Sequence, residues 1–206
     1  MRLQYLEAMG IDVWLPRAVA DGQQVPDLIA EPIDSWESLQ VQVAQCTQCD
    51  LCKTRSHTVF GAGNKNADWM IIGEEPGQSE DQLLTEMLRA IDLDREQVFI
   101  TNVVKCRSPD NCEPKAIEVE TCKPYLLQQL MHIKPKIILA LGHVTAQALL
   151  NTDESIDELR GKIHALNDTP VVVVYHPAYL LRSLLDKRKA WADLKLAMQT
   201  VKNIKG

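Results

Sequence analysis

The sequence is poor in aromatic residues, in long apolar runs and in net positive charge. Phe, Trp and Tyr make up 5% of its 206 residues, and two of these are Phe. No apolar run approaches the roughly 18 residues that a membrane-spanning helix requires. The first residues carry charge inside their apolar stretch, unlike a secretory signal peptide. We therefore expect a cytoplasmic protein.

The charge of the chain does not identify a partner. The net charge is −6, which by itself argues against nucleic acid. The acidic residues are concentrated at the N-terminus, where residues 1–40 hold seven Asp or Glu and two Lys or Arg. Residues 182–206, by contrast, hold seven Lys or Arg and two Asp. This basic stretch is either a solvated helix face or a surface that contacts phosphates.

Four of the six cysteines have the spacing of metal ligands. Cys46 and Cys49 form a Cys-x-x-Cys pair, Cys106 ends a strand-like apolar run, and Cys122 lies in the next segment. In the cytoplasm, cysteines are expected to be metal ligands or free thiols rather than disulfides. Four thiolates suit a tetrahedral zinc site or an iron–sulfur cluster, and the spacing alone leaves both open.

Short apolar strands alternate with helical patterns from residue 68 onward. Runs rich in β-branched residues predict strands at 69–73, 98–101, 136–141 and 171–175, and helix-like stretches lie at about 81–91, 114–132, 143–150 and 186–200. Strands that alternate with helices form a mostly parallel sheet covered on both faces, which is an α/β fold. The functional site of such a fold lies at the carboxyl ends of the strands.

The composition of residues 1–34 predicts an arm and a linker that are separate from the folded domain. A short amphipathic patch ends at Pro16, and a polar stretch containing Pro26 and Pro32 follows it. The folded domain is expected to span residues 35–206. Its first helix begins with Asp34 or Ser35 as the N-cap, because both residue types accept hydrogen bonds from a helix N-terminus.

Polar side chains follow the predicted strands. Glu74 lies in a Gly-Glu-Glu-Pro-Gly turn, which can hold a water or cradle a phosphate. Asn102 offers a donor and an acceptor to a base edge. His176 follows the last strand, and Arg182 comes six residues later. A solvated glutamate and a structural histidine are the plainer interpretations of two of these residues.

Several segments occur together in one order along the chain. They include Cys46-Thr-Gln-Cys49, Gly73-Glu-Glu-Pro-Gly77, Thr101-Asn-Val-Val-Lys-Cys106 and His176-Pro-Ala-Tyr-Leu-Leu-Arg182. In these segments the sequence, from about residue 43 to 198, resembles the family 4 uracil-DNA glycosylases, the iron–sulfur branch of that superfamily. The resemblance implies a three-layer α/β/α fold with a mostly parallel central sheet.

The resemblance also implies a cofactor and a role for each site residue. Cys46, Cys49, Cys106 and Cys122 would hold a [4Fe-4S] cluster, whereas Cys52 and Cys112 match no ligand position; zinc remains the alternative. Because that family reads a flipped base in a pocket, Asn102 would hydrogen-bond the uracil edge. His176 would stabilise the charge that develops on uracil O2, and Glu74 would position the attacking water. Residues 176–182, with Arg182, would press on the DNA backbone and fill the gap left by the base.

The chain departs from the family pattern at one wall of the implied pocket. After Asp81 the family has about ten further residues whose Phe stacks on uracil, and here the next helix begins instead. Stacking of this kind contributes roughly 1–3 kcal/mol per base. The position held by Ala or Gly in the family is Glu75, an anion that would crowd the pocket. These two changes predict a degenerate site.

The N-terminal arm has a resemblance of its own. Its Leu-x-x-Met-Gly-Ile-x-x-Trp pattern resembles the N-terminal segment of the psi subunit of the bacterial DNA polymerase III clamp loader, with Leu6, Met9, Ile11 and Trp14 as apolar anchors. That resemblance implies docking onto the clamp-loader ATPase subunits, and binding of the chi subunit by the body. Alternatively, the patch folds back onto the body.

These observations lead to two hypotheses. The first is a glycosylase-derived iron–sulfur protein without base excision, which serves as a psi-like accessory subunit of the clamp loader, so that the chain is not an enzyme. The alternative is an active uracil-DNA glycosylase of base excision repair, which binds DNA. A redox sensor that uses the cluster has no support beyond the cluster itself.

Overall fold

A six-stranded sheet runs through the protein in a computed structural model that describes residues 35–75, 81–108 and 113–205. The strands are β1 (Ala62–Gly63), β2 (Trp69–Gly73), β3 (Val98–Asn102), β4 (Ile137–Leu141), β5 (Ile163–Leu166) and β6 (Thr169–Val174). Their order across the sheet is β1-β3-β2-β4-β6-β5. The four central strands are parallel, and the edge strands β1 and β5 pair antiparallel.

Helices connect and cover the strands. They are α1 (Trp36–Gln45), α2 (Leu51–Thr54), α3 (Asp81–Arg89), α4 (Ala116–Ile133), α5 (His143–Leu150), α6 (Ile156–Leu159), α7 (Pro177–Arg182) and α8 (Lys187–Lys205). Single 3-10 turns lie at Arg95–Gln97 and Leu184–Asp186. Among the described residues, no helix is both long enough and apolar enough to cross a membrane.

The core consists of two apolar layers, one on each face of the sheet. Alternate residues of β2 point to opposite layers, with Met70 and Ile72 in one and Trp69 and Ile71 in the other. The first layer is closed by α4, α5 and α6, and the second by α3, α7 and α8. This arrangement confirms the predicted α/β fold with a mostly parallel sheet between helices.

Helix α1 packs outside the main layers, against α4. Ser35 is its N-cap and accepts a hydrogen bond from the Ser38 amide at 3.0 Å, as predicted. Leu39 and Val43 on α1 form a small cluster with Cys122 and Tyr125 on α4. The cluster fixes the end of α1, and therefore the Cys-x-x-Cys segment that follows it, beside α4.

The prediction missed the four-residue helices α2 and α6 and three further elements. β1 has two residues, too few for a recognisable pattern. β5 pairs with β6 in a hairpin whose turn residues, Asn167 and Asp168, have φ of 45° and 67°. Two consecutive positive φ values give the turn type that favours Asn and Asp, so the hairpin had a sequence signal. The third is α7, which lies in the His176–Arg182 segment.

Candidate active site at the strand ends

The carboxyl ends of the parallel strands line one pocket of about 280 Å³. Gly73 ends β2, Asn102 ends β3, Leu141 ends β4, and His176 follows β6 by two residues. Parallel strands place these ends at the same edge of the sheet. The structure therefore brings Asn102 and His176 together, although 74 residues separate them in the chain.

Asn102 lies over Gly73. The two residues are register partners in β2 and β3. A Cβ atom added at Gly73 would stand 2.6 Å from Asn102 Oδ1, closer than real contacts allow. The glycine therefore leaves the space that the Asn102 amide occupies at the pocket wall.

His176 is the N-cap of α7. Its Nδ1 accepts a hydrogen bond from the Ala178 amide at 3.3 Å. Since Nδ1 is an acceptor, the neutral imidazole carries its proton on Nε2. The ring is thus oriented by the backbone, and His176 lines the pocket.

Glu74 stands beside the pocket lining rather than in it. Its carboxylate occupies the space above Gly142, where a Cβ atom would be 2.2 Å from Oε1 and 3.2 Å from His176 Cβ. Gly142 has a φ of +89°, a conformation that favours glycine. Burial raises the pKa of Glu74, while nearby His143 and the Val144 amide act in the opposite direction.

His143 connects Glu74 to a second carboxylate. Its Nδ1 is 3.8 Å from Glu74 Oε1, and its Nε2 is 2.9 Å from Glu113 Oε1. Neither His143 nor Glu113 was predicted from the sequence to have a role in the site. The position of His143 directly after the β4 strand end was the available signal.

Charged side chains also line the pocket. Arg95 and Arg107 contribute positive charge, and Glu75 contributes a carboxylate. Glu75 Oε2 accepts a hydrogen bond from Ser108 Oγ at 2.9 Å, which ties this carboxylate to the segment after β3. Glu75 therefore reaches the pocket wall, as predicted. The two arginines were missed, because nothing in the sequence connects them with the strand ends.

Exposed leucines follow the pocket residues His176 and Pro177 along the chain. We call Leu181, Leu184 and Leu185 the leucine turn; their exposed fractions are 48%, 68% and 90%. Asp186 holds this turn in shape, because it accepts hydrogen bonds from Tyr179 and Ser183 at 2.7 Å each. Arg182 is exposed at the same turn and is not part of the pocket lining.

All four predicted ligand cysteines, Cys46, Cys49, Cys106 and Cys122, line a second and much smaller cavity of about 10 Å³. The Lys105 amide donates to Cys122 Sγ and Arg55 Nη1 donates to Cys106 Sγ, both at 3.3 Å. Donors of this kind stabilise thiolates that bind a metal. Burial raises the pKa of the Cys122 thiol to about 11 and raises that of Cys49. Cys52 is not part of this lining, and Cys112 lies outside the described residues.

The spacing of the thiols matters for the choice of metal. Around one zinc ion, with Zn–S of about 2.3 Å, tetrahedral thiolates stand roughly 4 Å apart. Within the described ranges, no three His, Cys, Asp or Glu side chains are close enough to hold a single metal ion. The four thiols nevertheless line one cavity, and they are the side chains available there to bind an iron–sulfur cluster or a zinc ion.

Residues 60–195 match the Uracil DNA glycosylase superfamily. The chain belongs to this superfamily. The type-4 uracil-DNA glycosylase of Archaeoglobus fulgidus is 38% identical over 168 residues, which are 72% of this chain and 84% of that protein. The type-4 uracil-DNA glycosylase of Pyrobaculum aerophilum is 40% identical over 165 residues, 71% of this chain and 84% of that protein. That of Thermotoga maritima is 35% identical over 181 residues, 81% of this chain and 94% of that protein.

The comparisons correct the main functional hypothesis. The prediction of a psi-like clamp-loader accessory without base excision is wrong, because relatives that are 35–40% identical are named uracil-DNA glycosylases. The expectation that this superfamily member is not an enzyme has no support for the same reason. Both rested on changes at one pocket wall and on a short arm, whereas the similarity to glycosylases extends over most of the domain.

The arm anchors Leu6, Met9, Ile11 and Trp14 lie outside the described residues. The clamp-loader partners predicted from them have no support in the comparisons. The division into an arm of residues 1–34 and a domain of residues 35–206 stays a prediction.

Proposed function

We propose that this chain is a uracil-DNA glycosylase that hydrolyses the bond between uracil and deoxyribose in DNA. The observation that carries the proposal is the pocket at the strand ends. It unites Asn102 and His176 in a chain whose relatives are named type-4 uracil-DNA glycosylases. A base must leave the helical stack to enter such a pocket.

Asn102 is proposed to recognise the base. The Watson–Crick edge of uracil presents the N3–H donor beside the O4 acceptor. A single asparagine amide can accept from N3–H and donate to O4. Cytosine presents the reverse pattern at these two atoms, so a fixed Asn102 amide would favour uracil. The support for a fixed amide is its close packing over Gly73.

His176 is proposed to stabilise the leaving base. The C1′–N1 bond breaks with its electron pair going to uracil, and negative charge develops on O2. The Ala178 amide orients the imidazole through Nδ1, and Nε2–H of His176 is proposed to donate to that oxygen. The oxygen of a water bonds to C1′ as its proton passes to solvent, and the released uracil anion takes up a proton from solvent at N1. Glu74, which lies close to His176 across Gly142, is proposed to orient this water.

The leucine turn is proposed to contact DNA. Leu181, Leu184 and Leu185 are exposed within five residues of each other, and a group of exposed apolar side chains can mark an interaction site. Inserted into the stack, they would fill the gap left by the flipped base. Arg182, Lys187 and Arg188 are all exposed around them and would bind the flanking phosphates.

The described pocket lining includes no Phe, Tyr or Trp, and its apolar part is aliphatic. Ile100, Leu84 and Leu141 supply that surface. Aromatic stacking contributes roughly 1–3 kcal/mol per base. We therefore expect this enzyme to hold uracil more weakly than a glycosylase that has an aromatic residue there, with the difference appearing in KM.

Cys46, Cys49, Cys106 and Cys122 are proposed to hold a [4Fe-4S] cluster. When bound, the cluster contributes folding free energy and no chemical step. Its ligands come from the segment after α1, from the loop after β3 and from α4. Since Cys106 lies four residues after Asn102, the cluster would hold the loop that leaves the pocket.

Single-turnover kinetics on a uracil-containing single-stranded oligonucleotide test this function. Protein purified without oxygen should release uracil, and His176→Ala should slow the release by about 10²–10³-fold, as for a lost oxyanion donor. His164→Ala is the matched control, because His164 lies on the edge strand β5 and contacts the Leu159 carbonyl. An equally slow His164→Ala protein, or a fully active His176→Ala protein, would contradict the assigned role.

A further inference from the structure

A lysine is buried between the pocket and the cysteine cavity. Lys105 is 1% exposed. Its Nζ donates to Thr101 Oγ1 at 2.7 Å, to the Asn102 carbonyl at 2.6 Å and to Gln129 Oε1 at 2.6 Å. An ammonium group has three N–H donors, so these contacts use all of them. Burying such a group is costly unless every donor is satisfied.

The network continues to the pocket wall. Gln129 Nε2 donates to the Phe60 carbonyl at 2.7 Å, and Thr101 Oγ1 lies 3.0 Å from the same oxygen. Thr101 and Gln129 are 1% and 0% exposed. The neighbours of Phe60 in the chain, Val59 and Gly61, both line the pocket. Buried polar groups thus connect α4 to two separate parts of the pocket.

We propose that Lys105 is a positioning residue that fixes the end of β3, and with it the Asn102 amide, against α4 and the pocket wall. The proposal rests on the proposed function, because it assigns Lys105 a role in reading the base through Asn102. Lys105 does not line the pocket and is not proposed to touch substrate.

The backbone at this point explains why a side chain is needed. Beyond Asn102 the chain leaves the strand, and its Val103 and Val104 amides donate to the Gly73 and Glu74 carbonyls. Lys105 reaches back three residues and binds the Asn102 carbonyl. Its own amide donates to Cys122 Sγ. One residue therefore joins the base-reading strand end to the cysteine site.

Lys105→Met tests the proposal, because Met keeps the apolar stem and removes all three donors. Supporting groups of this kind are typically worth 10–100-fold. We expect kcat/KM for uracil release to fall by about that factor in the wild-type background. In an Asn102→Ala background the same change should have less than a threefold effect, since Lys105 acts through Asn102. Equal effects in the two backgrounds would overturn the proposal.

Two controls separate positioning from general destabilisation. Thr145→Val removes a buried hydroxyl that has no partner among the described residues, and it should leave the kinetics unchanged. Iron content and visible absorbance should be unchanged in Lys105→Met, because the ligand thiols remain. If Lys105→Met does not fold, Gln129→Met removes the next member of the network and should lower kcat/KM by about three- to tenfold. Full activity of Gln129→Met would then overturn the proposal.

Hydrogen–deuterium exchange tests the same network without activity. In the Lys105→Met protein, the backbone amides of residues 59–61 and 101–104 should exchange faster than in wild type, and the amides of α8 should exchange at the wild-type rate. If Lys105→Met does not fold, the same pattern is expected for Gln129→Met. Uniform or unchanged exchange would overturn the proposal. If the wild type releases no uracil, the proposed function fails, and the exchange pattern alone decides whether the network positions this strand end.

Discussion

Replacing Gly73 by Ala places a methyl group against the base-reading amide. The added Cβ atom would stand 2.6 Å from Asn102 Oδ1, whereas ordinary contacts begin at 3.4 Å. The amide therefore has to move by about 0.8 Å, close to the 1 Å displacement that costs roughly 10²-fold in rate. We expect kcat/KM for uracil release to fall by about 10–100-fold.

The same change should leave the protein folded. Gly73 does not have a positive φ, so alanine can adopt its backbone conformation. The loss of chain entropy in the unfolded state favours the variant by about 0.4–1 kcal/mol, and overpacking costs about 1–3 kcal/mol. The net loss is therefore at most about 2–3 kcal/mol, which denaturant unfolding can measure.

Gly161→Ala is the matched control for Gly73→Ala. Nothing lies within 4 Å of a Cβ atom at Gly161, but its φ is +72°. Alanine there is strained by about 1–2 kcal/mol without touching the pocket. It should lose stability and keep full excision activity. Wild-type kcat/KM in Gly73→Ala would refute the assignment of Asn102 as the residue that reads uracil.

Three further predictions address the carboxylate, the cysteines and the leucine turn. Burial raises the pKa of Glu74 above its ordinary 4.5, so its stability contribution is full below pH 4.5 and is lost as pH rises through the raised pKa. At pH 7–8, Glu74→Gln should therefore unfold at a higher denaturant concentration than wild type, and below pH 4.5 the two proteins should unfold at the same concentration. The variant should also excise uracil more slowly. Equal stability of variant and wild type at neutral pH would contradict the prediction. Cys49→Ser should lose iron and brown absorbance and become poorly soluble, and a folded brown variant removes Cys49 from the ligand set. Leu185→Ser should slow excision from duplex DNA by roughly tenfold more than excision from single strands, and it should change the free energy of unfolding by less than about 0.5 kcal/mol. An equal effect on both substrates would exclude insertion of Leu185 into the base stack.

The fold was predictable where burial was complete. β2 and β4 are buried along their whole length, so their sequences read as uninterrupted apolar runs. β5 is half exposed, and β1 is two residues long. As edge strands they have no such apolar run, so β1 had no signal in the sequence and the only signal for β5 was the Asn167-Asp168 turn that follows it.

The candidate site was predictable to a lesser degree. Asn102 and His176 follow buried strands, and this position marks them without further information. Gln129 lies on α4 beside Gln128, where a polar pair looks like a solvated helix face, yet both are buried. Lys105 reads as a charged residue in a loop. Only the tertiary structure reveals that its three donors are all used internally.

The functional error had a physical origin. The missing aromatic loop and Glu75 concern one wall of the pocket, and loss of stacking amounts to roughly 1–3 kcal/mol. Such a loss weakens binding but leaves the His176 donor in place, whose absence would cost about 10²–10³-fold in rate. The prediction of a degenerate site therefore relied on changes whose effect on the reaction is smaller than that of the His176 donor.

Release of free uracil under single-turnover conditions tests the central claim most directly. The assay uses excess protein purified without oxygen, with a single-stranded oligonucleotide containing one uracil, and a second oligonucleotide with cytosine in its place. We expect release of uracil and no release of cytosine, because the Asn102 amide matches the N3–H and O4 edge of uracil. Release should be abolished when Asn102 and His176 are both replaced by Ala. No uracil release by folded wild-type protein would contradict the account.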